Sequence, residues 1–142
     1  LTAVEYRKGP DGHYHVALQI EIKKGEYFHN SRVLVDTGAD KCMIPRELNE
    51  RFLHLAIAGV DHDVSTASGE TDIEWVLIPK MTLMRKALVH AGPDFYRYDL
   101  EKTDLSQENV ATWLGDSYIV GMNFTGKFDV RMTKDNRIIF EG

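Results

Sequence analysis

The sequence predicts an all-β fold with one or two short helices, and three observations predict it. Short apolar stretches recur along the chain, divided by turn residues such as Lys23-Lys24-Gly25-Glu26 and Lys134-Asp135-Asn136. One stretch, residues 14–22, alternates with a period of two. Only two segments carry the spacing and caps of a helix.

The elements follow in order. In 14–22, Tyr14, Val16, Leu18, Ile20 and Ile22 share one strand face, with His15, Ala17, Gln19 and Glu21 on the other. The Lys-Lys-Gly-Glu turn leads into a second strand that ends in Val33-Leu34-Val35. Pro45 is expected to open a short helix through Phe52, because proline is tolerated in a first helical turn. Strands are then expected at 60–66, 70–83, 86–98, 117–120, 128–132 and 137–140, the last two joined through Lys134-Asp135-Asn136. Ser106 is expected to cap a second helix, with Val110, Trp113 and Leu114 on one face and Gly115 ending it. The polar stretch 98–107 reads as a surface loop. No internal repeat, low-complexity tract or linker divides the chain, so residues 1–142 are expected to form a single domain.

Composition narrows the function classes. A chain of 142 residues is long enough to bury a working core, roughly 68–70% of its unfolded surface. Its 43% hydrophobic and 27% charged residues are those of a soluble globular protein. The net charge of −5 comes with mixed signs and no basic stripe, which argues against nucleic-acid partners. No apolar run approaches the ~18 residues of a membrane span, so no membrane contact is expected from this segment. The chain opens with Leu1 rather than Met, which raises excision or processing from a longer, membrane-anchored precursor; the compartment stays unassigned. The single cysteine, Cys42, excludes an internal disulfide and reads as a small buried packing residue.

The chemistry concentrates in Val33-Leu34-Val35-Asp36-Thr37-Gly38-Ala39-Asp40. An apolar strand runs straight into an acid with a tight turn behind it, so whatever covers the strand end governs the solvation of that carboxylate. Thr37 offers a hydroxyl to nearby backbone groups, and Gly38 lets the turn approach another chain closely.

This stretch resembles the active-site loop of the retropepsin-like aspartic proteases, whose signature is two or more apolar residues followed by Asp-Thr-Gly-Ala. A second segment agrees: Ser117-Tyr118-Ile119-Val120-Gly121-Met122-Asn123-Phe124 is similar to the family's apolar-apolar-Gly motif, which enters a short helix beneath the catalytic loop. Asp36 and Gly121 are 85 residues apart, more than in compact retroviral members, which implies an insertion within 86–115. Between the motifs, Ala67, Ser68 and Gly69 fall where the family carries the tip of its flap. Retroviral members often place an arginine after the second glycine; here it is Met122, which points to a non-viral member and leaves the partner of Asp40 open.

The resemblance implies a closed acid-protease barrel of the single-lobe retropepsin type. It implies Asp36 as the one catalytic carboxylate of each chain, with Thr37, Gly38, Ala39 and Asp40 shaping the loop and Val120, Gly121 and Asn123 supporting it. One Asp-Thr-Gly per chain implies a homodimer for activity, because the mechanism needs two carboxylates. The implied substrate is an extended polypeptide, read by alternating pockets and cleaved between hydrophobic or mixed side chains; no cofactor and no metal are implied. The alternative is a catalytically silent dimerisation or peptide-binding module on the same fold.

Other residue types do not compete with this reading. Ser68 lies in Ala-Ser-Gly, which is not a nucleophile elbow. The histidines His13, His15, His29, His54, His62 and His90 show no metal-ligand spacing. Trp75 and Trp113 are expected in the core or at the base of the flap.

Overall fold

The computed structural model describes residues 2–66 and 68–142. Among the described residues, ten strands fall into two sheets. β1 (Ala3–Arg7), β9 (Asp129–Met132) and β10 (Arg137–Glu141) form an antiparallel three-stranded sheet in the order β1-β10-β9. The other seven are β2 (His15–Lys23), β3 (Glu26–Val35), β4 (Cys42–Pro45), β5 (Gly59–Thr66), β6 (Gly69–Gly92), β7 (Phe95–Gly115) and β8 (Ile119–Val120). Their order is β2-β3-β8-β4-β7-β6-β5, and β6 pairs again with β2. That second pairing closes the sheet into a barrel, which removes its edges and leaves β5 outside the ring as one arm of a hairpin.

β2 is buried along both faces over residues 16–20. Val16, Leu18 and Ile20 are buried as their alternation predicts, but so are Ala17 and Gln19. β2 is flanked by β3 on one edge and β6 on the other, and the Tyr6 hydroxyl of β1 reaches in to donate to the Met84 carbonyl at 2.6 Å. Burial pushes the Tyr6 phenol up, well above its ordinary range. Gln19 keeps a partner in the His29 ring, 3.1 Å away. The core continues through Val33, Ile44, Ile78, Met81, Leu83, Phe124 and Phe140.

Most expected elements are found. Lys24 and Gly25 make the two-residue turn between β2 and β3, with Gly25 at φ 84° and Lys23 paired to Glu26. Pro45 precedes a helical turn, α1 (Arg46–Leu48), which runs on as a π turn over Asn49–Leu53. α2 (Met122–Thr125) follows Gly121, and the edge-on rings of Phe124, Phe128 and Phe140 tie it to the small sheet.

Two expectations are corrected. Residues 106–115 are not a helix and 98–107 are not a loop: both belong to β7. Val110, Thr112 and Leu114 alternate inward against β6, with Ile78 opposite Val110 and Val76 opposite Thr112. The apolar spacing at 110, 113 and 114 fits a helix face equally well. The pairing with β6 decides it, because those residues have a partner strand across from them. Likewise, 70–83 and 86–98 are not two strands. β6 runs unbroken to Gly92, turns at Pro93-Asp94, and returns as β7. Beyond Met84 these strands pair only with each other, so the expected insertion takes the form of a two-stranded ribbon. The strands β1 and β4 had no counterpart in the expectations.

Candidate active site

The acid at the end of β3 is held in a loop with almost no freedom. β8 lies between the strands on either side of that loop: it pairs in parallel with β3 (Leu34 with Ile119, Val35 with Val120) and antiparallel with β4 (Met43 with Ile119). The Asp36 amide donates to the Val120 carbonyl at 3.1 Å. On the far side of the turn, the Met122 amide donates to Ala39 at 2.8 Å and the Asn123 amide to Asp40 at 3.0 Å. The turn is closed from within by the Gly38 amide, which donates to Asp36 Oδ1 at 2.9 Å. That bond orients the carboxylate.

Gly121 is required by this crossing. A Cβ there would stand 2.3 Å from the Lys41 carbonyl oxygen and 2.8 Å from that of Ala39, both backbone atoms. Asn123 then bridges three elements: its carbonyl oxygen accepts from the Cys42 amide at 3.0 Å, and its side-chain amide donates to the Ala111 carbonyl at 2.6 Å. So the two sequence segments chosen as motifs meet, and Val120, Gly121 and Asn123 each contact or brace the loop. Asp36 and Ala39 are half-buried, whereas Thr37, Gly38 and Asp40 are exposed.

Asp40 has a backbone partner in Asn123, and its side chain forms no ion pair among the described residues. Met122, where an arginine would have met it, is an exposed residue whose sulfur lies 3.6 Å from the Thr125 hydroxyl.

Above the loop stands the β5–β6 hairpin. Thr66 pairs with Gly69 across its tip; the Thr66 hydroxyl donates to the Gly69 carbonyl at 2.7 Å and accepts from the Ser68 amide at 3.2 Å. Gly69 has φ 108°, a conformation that side chains rarely adopt. Ala67 lies outside the described residues. One open groove of about 1390 Å³ is lined both by Asp36, Gly38, Ala39 and Asp40 below and by Thr66, Ser68 and Gly69 above.

A family model described as aspartyl protease matches residues 18–124. The chain belongs to the aspartyl protease family. Among solved structures, this aspartyl protease chain is similar to a retropepsin-like aspartic protease from Rickettsia conorii, with a TM-score of 0.60 over 98% of this chain and 90% of that one. Identity is 14%, so the likeness is one of fold. No curated protein matches the sequence significantly.

The family motifs did not point to one further feature of the groove. Lys41, directly after the loop, extends its ammonium to Asp61 of β5 and lies over the rings of Trp75 and Trp113, 5.4 and 5.7 Å from their centroids. The same Asp61 oxygen accepts from the Trp113 indole at 2.8 Å. The Lys41 and Trp113 hydrogen bonds hold the Asp61 carboxyl below its usual range. Trp75 and Trp113 thus sit at the base of the hairpin, as expected, and they carry a charge pair that the sequence signalled only as a lysine beside the motif. Cys42 is fully buried and burial pushes its thiol up to about 12, so it is a packing residue.

Proposed function

We propose that residues 1–142 form one catalytic domain, an aspartic endopeptidase that works as a homodimer with Asp36 as the carboxylate each chain supplies. The observation that carries this reading is the orientation of Asp36: its Oδ1 is held by the Gly38 amide at the floor of an open groove that is also lined by the β5–β6 hairpin. Two such carboxylates about 3 Å apart cannot both ionise, so they share one proton. The ionised member accepts a proton from water as that water attacks the scissile carbonyl, and the protonated member donates to the carbonyl oxygen. Thr37 and Gly38 are exposed, as loop residues that meet across a two-fold axis must be. The β5–β6 hairpin, with Ser68 and Gly69 at its tip, acts as a flap over the bound strand.

The test is cleavage of a diverse peptide library between about pH 4 and pH 8, a window that runs upward from the ordinary carboxylate range, by the parent chain and by Asp36→Ala. Cleavage by the parent alone is the expected result. Equal cleavage by both excludes Asp36 as the catalytic group, and a dimer that binds peptides and cuts none favours the silent binding module.

A further inference from the structure

The groove concentrates more negative charge than the chain as a whole. Seven carboxylates line it against one lysine, Lys41, while the net charge of the full chain is −5. Outside the groove, then, the charges of the molecule nearly balance. The acidity of this protein is a property of its candidate active site.

Two of these carboxylates have local partners. Asp61 is held by Lys41, and Asp72 by the His62 ring at 3.1 Å. Asp40, Asp63, Glu70 and Asp116 form no ion pair among the described residues. They come from three directions: Asp40 from the loop on the floor, Asp63 and Glu70 from the hairpin above, and Asp116 from the turn between β7 and β8. The pairing of β5 with β6 slips between Asp61 and Val64, and Asp63 there takes φ 56°; a bulge of this kind re-aims side chains. Among the described residues, these acids do not gather into a group able to hold a metal ion. They are spread along the groove as a field, which is the arrangement that attracts an extended polycation.

We infer that the groove selects basic polypeptides, segments that carry Lys or Arg at positions flanking the bond presented to Asp36. An extended chain turns alternate side chains toward the hairpin and toward the floor. Unpaired carboxylates wait on both sides, so both sets of side chains can be basic. The inference narrows the expectation of hydrophobic or mixed side chains and rests on the proposed function only in taking this groove as the peptide site.

The experiment titrates the parent chain with peptides of about eight residues whose central bond is reduced and cannot be cut. Lys, Gln or Glu occupies the alternate flanking positions, and binding is read from tryptophan emission, since Trp113 lines the groove. Above the carboxylate range, the Lys peptide is expected to bind at least about tenfold more tightly than the Gln peptide, and its affinity is expected to fall with added salt. The double variant Asp63→Asn, Glu70→Gln should lose most of that preference. Glu101→Gln, on the ribbon away from the groove, should keep it. Equal binding of Lys and Gln peptides, preference for Glu, loss of preference with Glu101→Gln, or no binding of any peptide at millimolar concentration would overturn the inference.

Matched cleavable peptides separate the two readings. Cleavage indifferent to charge removes the inference and leaves the endopeptidase. Charge-selective binding without cleavage leaves the inference and removes the endopeptidase.

Discussion

Trp113 Nε1 donates to Asp61 Oδ2 at 2.8 Å, and the Lys41 ammonium holds the same oxygen. One carboxylate on the hairpin base therefore binds a residue from β7 and the residue that follows the candidate active-site loop. The two side chains of the ion pair are each about a quarter exposed (24% and 29%), so solvent screens the pair only partly. Lys41→Met is expected to cost about 1–2 kcal/mol, since it leaves Asp61 with the indole alone. Urea unfolding followed by far-UV circular dichroism measures this. Both tryptophans of the chain lie in the clamp, so their emission reports it without reference to activity. The sign of the pH dependence follows from the lowered Asp61 carboxyl. Its stabilisation is present above the unfolded value of 3.8 and is lost as pH falls through the lower folded value. In Lys41→Met the emission change that accompanies protonation of Asp61 should move up toward pH 3.8, because the largest lowering influence on that carboxyl is gone. An identical titration in both would show that the clamp does not govern that change.

The crossing of α2 under the loop makes a sharp contrast between two neighbouring substitutions. Gly121→Ala forces a Cβ to within 2.3 Å of the Lys41 carbonyl oxygen, and only a shift of the backbone relieves it. We expect a loss of about 3 kcal/mol or more. Asn123→Ala creates no clash but strips partners from the Cys42 amide and the Ala111 carbonyl, at about 2–4 kcal/mol. The contrast lies in geometry: the alanine at 123 should keep the loop shape and the one at 121 should not. Chemical shifts of the Asp36 and Gly38 amides distinguish them. If Asn123→Ala moves those amides as far as Gly121→Ala does, the loop is not held by the crossing itself.

How much of this was legible in the sequence differs from segment to segment. The loop at Asp36 and its support at Gly121 were legible because each is a local pattern, an apolar run ending in a turn, and the family motif gives their order. The barrel was legible only through the resemblance, because its closure is a pairing between β2 and β6, whose central residues lie about 60 positions apart, and periodicity does not report such pairings. β7 was misread for the same reason: Val110, Trp113 and Leu114 satisfy both helical and strand spacing, and the deciding partner strand is remote. The clamp of Lys41 with Asp61 and Trp113 unites three distant segments, and no single one of them is distinctive. The concentration of acids in the groove was hidden by the total charge, which averages a strongly negative surface with a balanced remainder.

Cys42 supplies a prediction about accessibility. It pairs with Thr112 between β4 and β7, and none of its surface is exposed. With the thiol pushed up to about 12, almost no thiolate is present near neutrality. A disulfide reagent should leave the native chain unlabelled and label it fully in urea. A folded pKa above the unfolded one means that stability is complete below about 9 and declines as pH rises from there toward 12. Cys42→Ser would remove that alkaline decline along with some packing. Rapid labelling of the native chain would mean that β4 opens readily and that the loop before it is less rigid than its hydrogen bonds imply.

The requirement for two chains can be tested without a structure of the dimer. If each active site needs Asp36 from both chains, the rate per chain rises with concentration below the dissociation constant of the dimer and becomes constant above it. An asparagine at 36 is close to isosteric and accepts the Gly38 amide through its side-chain oxygen, so Asp36→Asn should fold and assemble. Added to the parent in equal amount above the dissociation constant, it captures parent chains in dead heterodimers. Random assortment then leaves about half of the starting activity, although the amount of parent has not changed. Among the described residues Asp40 has no cationic partner within its own chain, and an exposed methionine, Met122, occupies the position after Gly121; no ion pair within the chain braces that place, so the fall should come soon after mixing. Activity that is unchanged by the variant and proportional to parent concentration would mean that a single chain is sufficient, and the homodimeric mechanism would have to be abandoned.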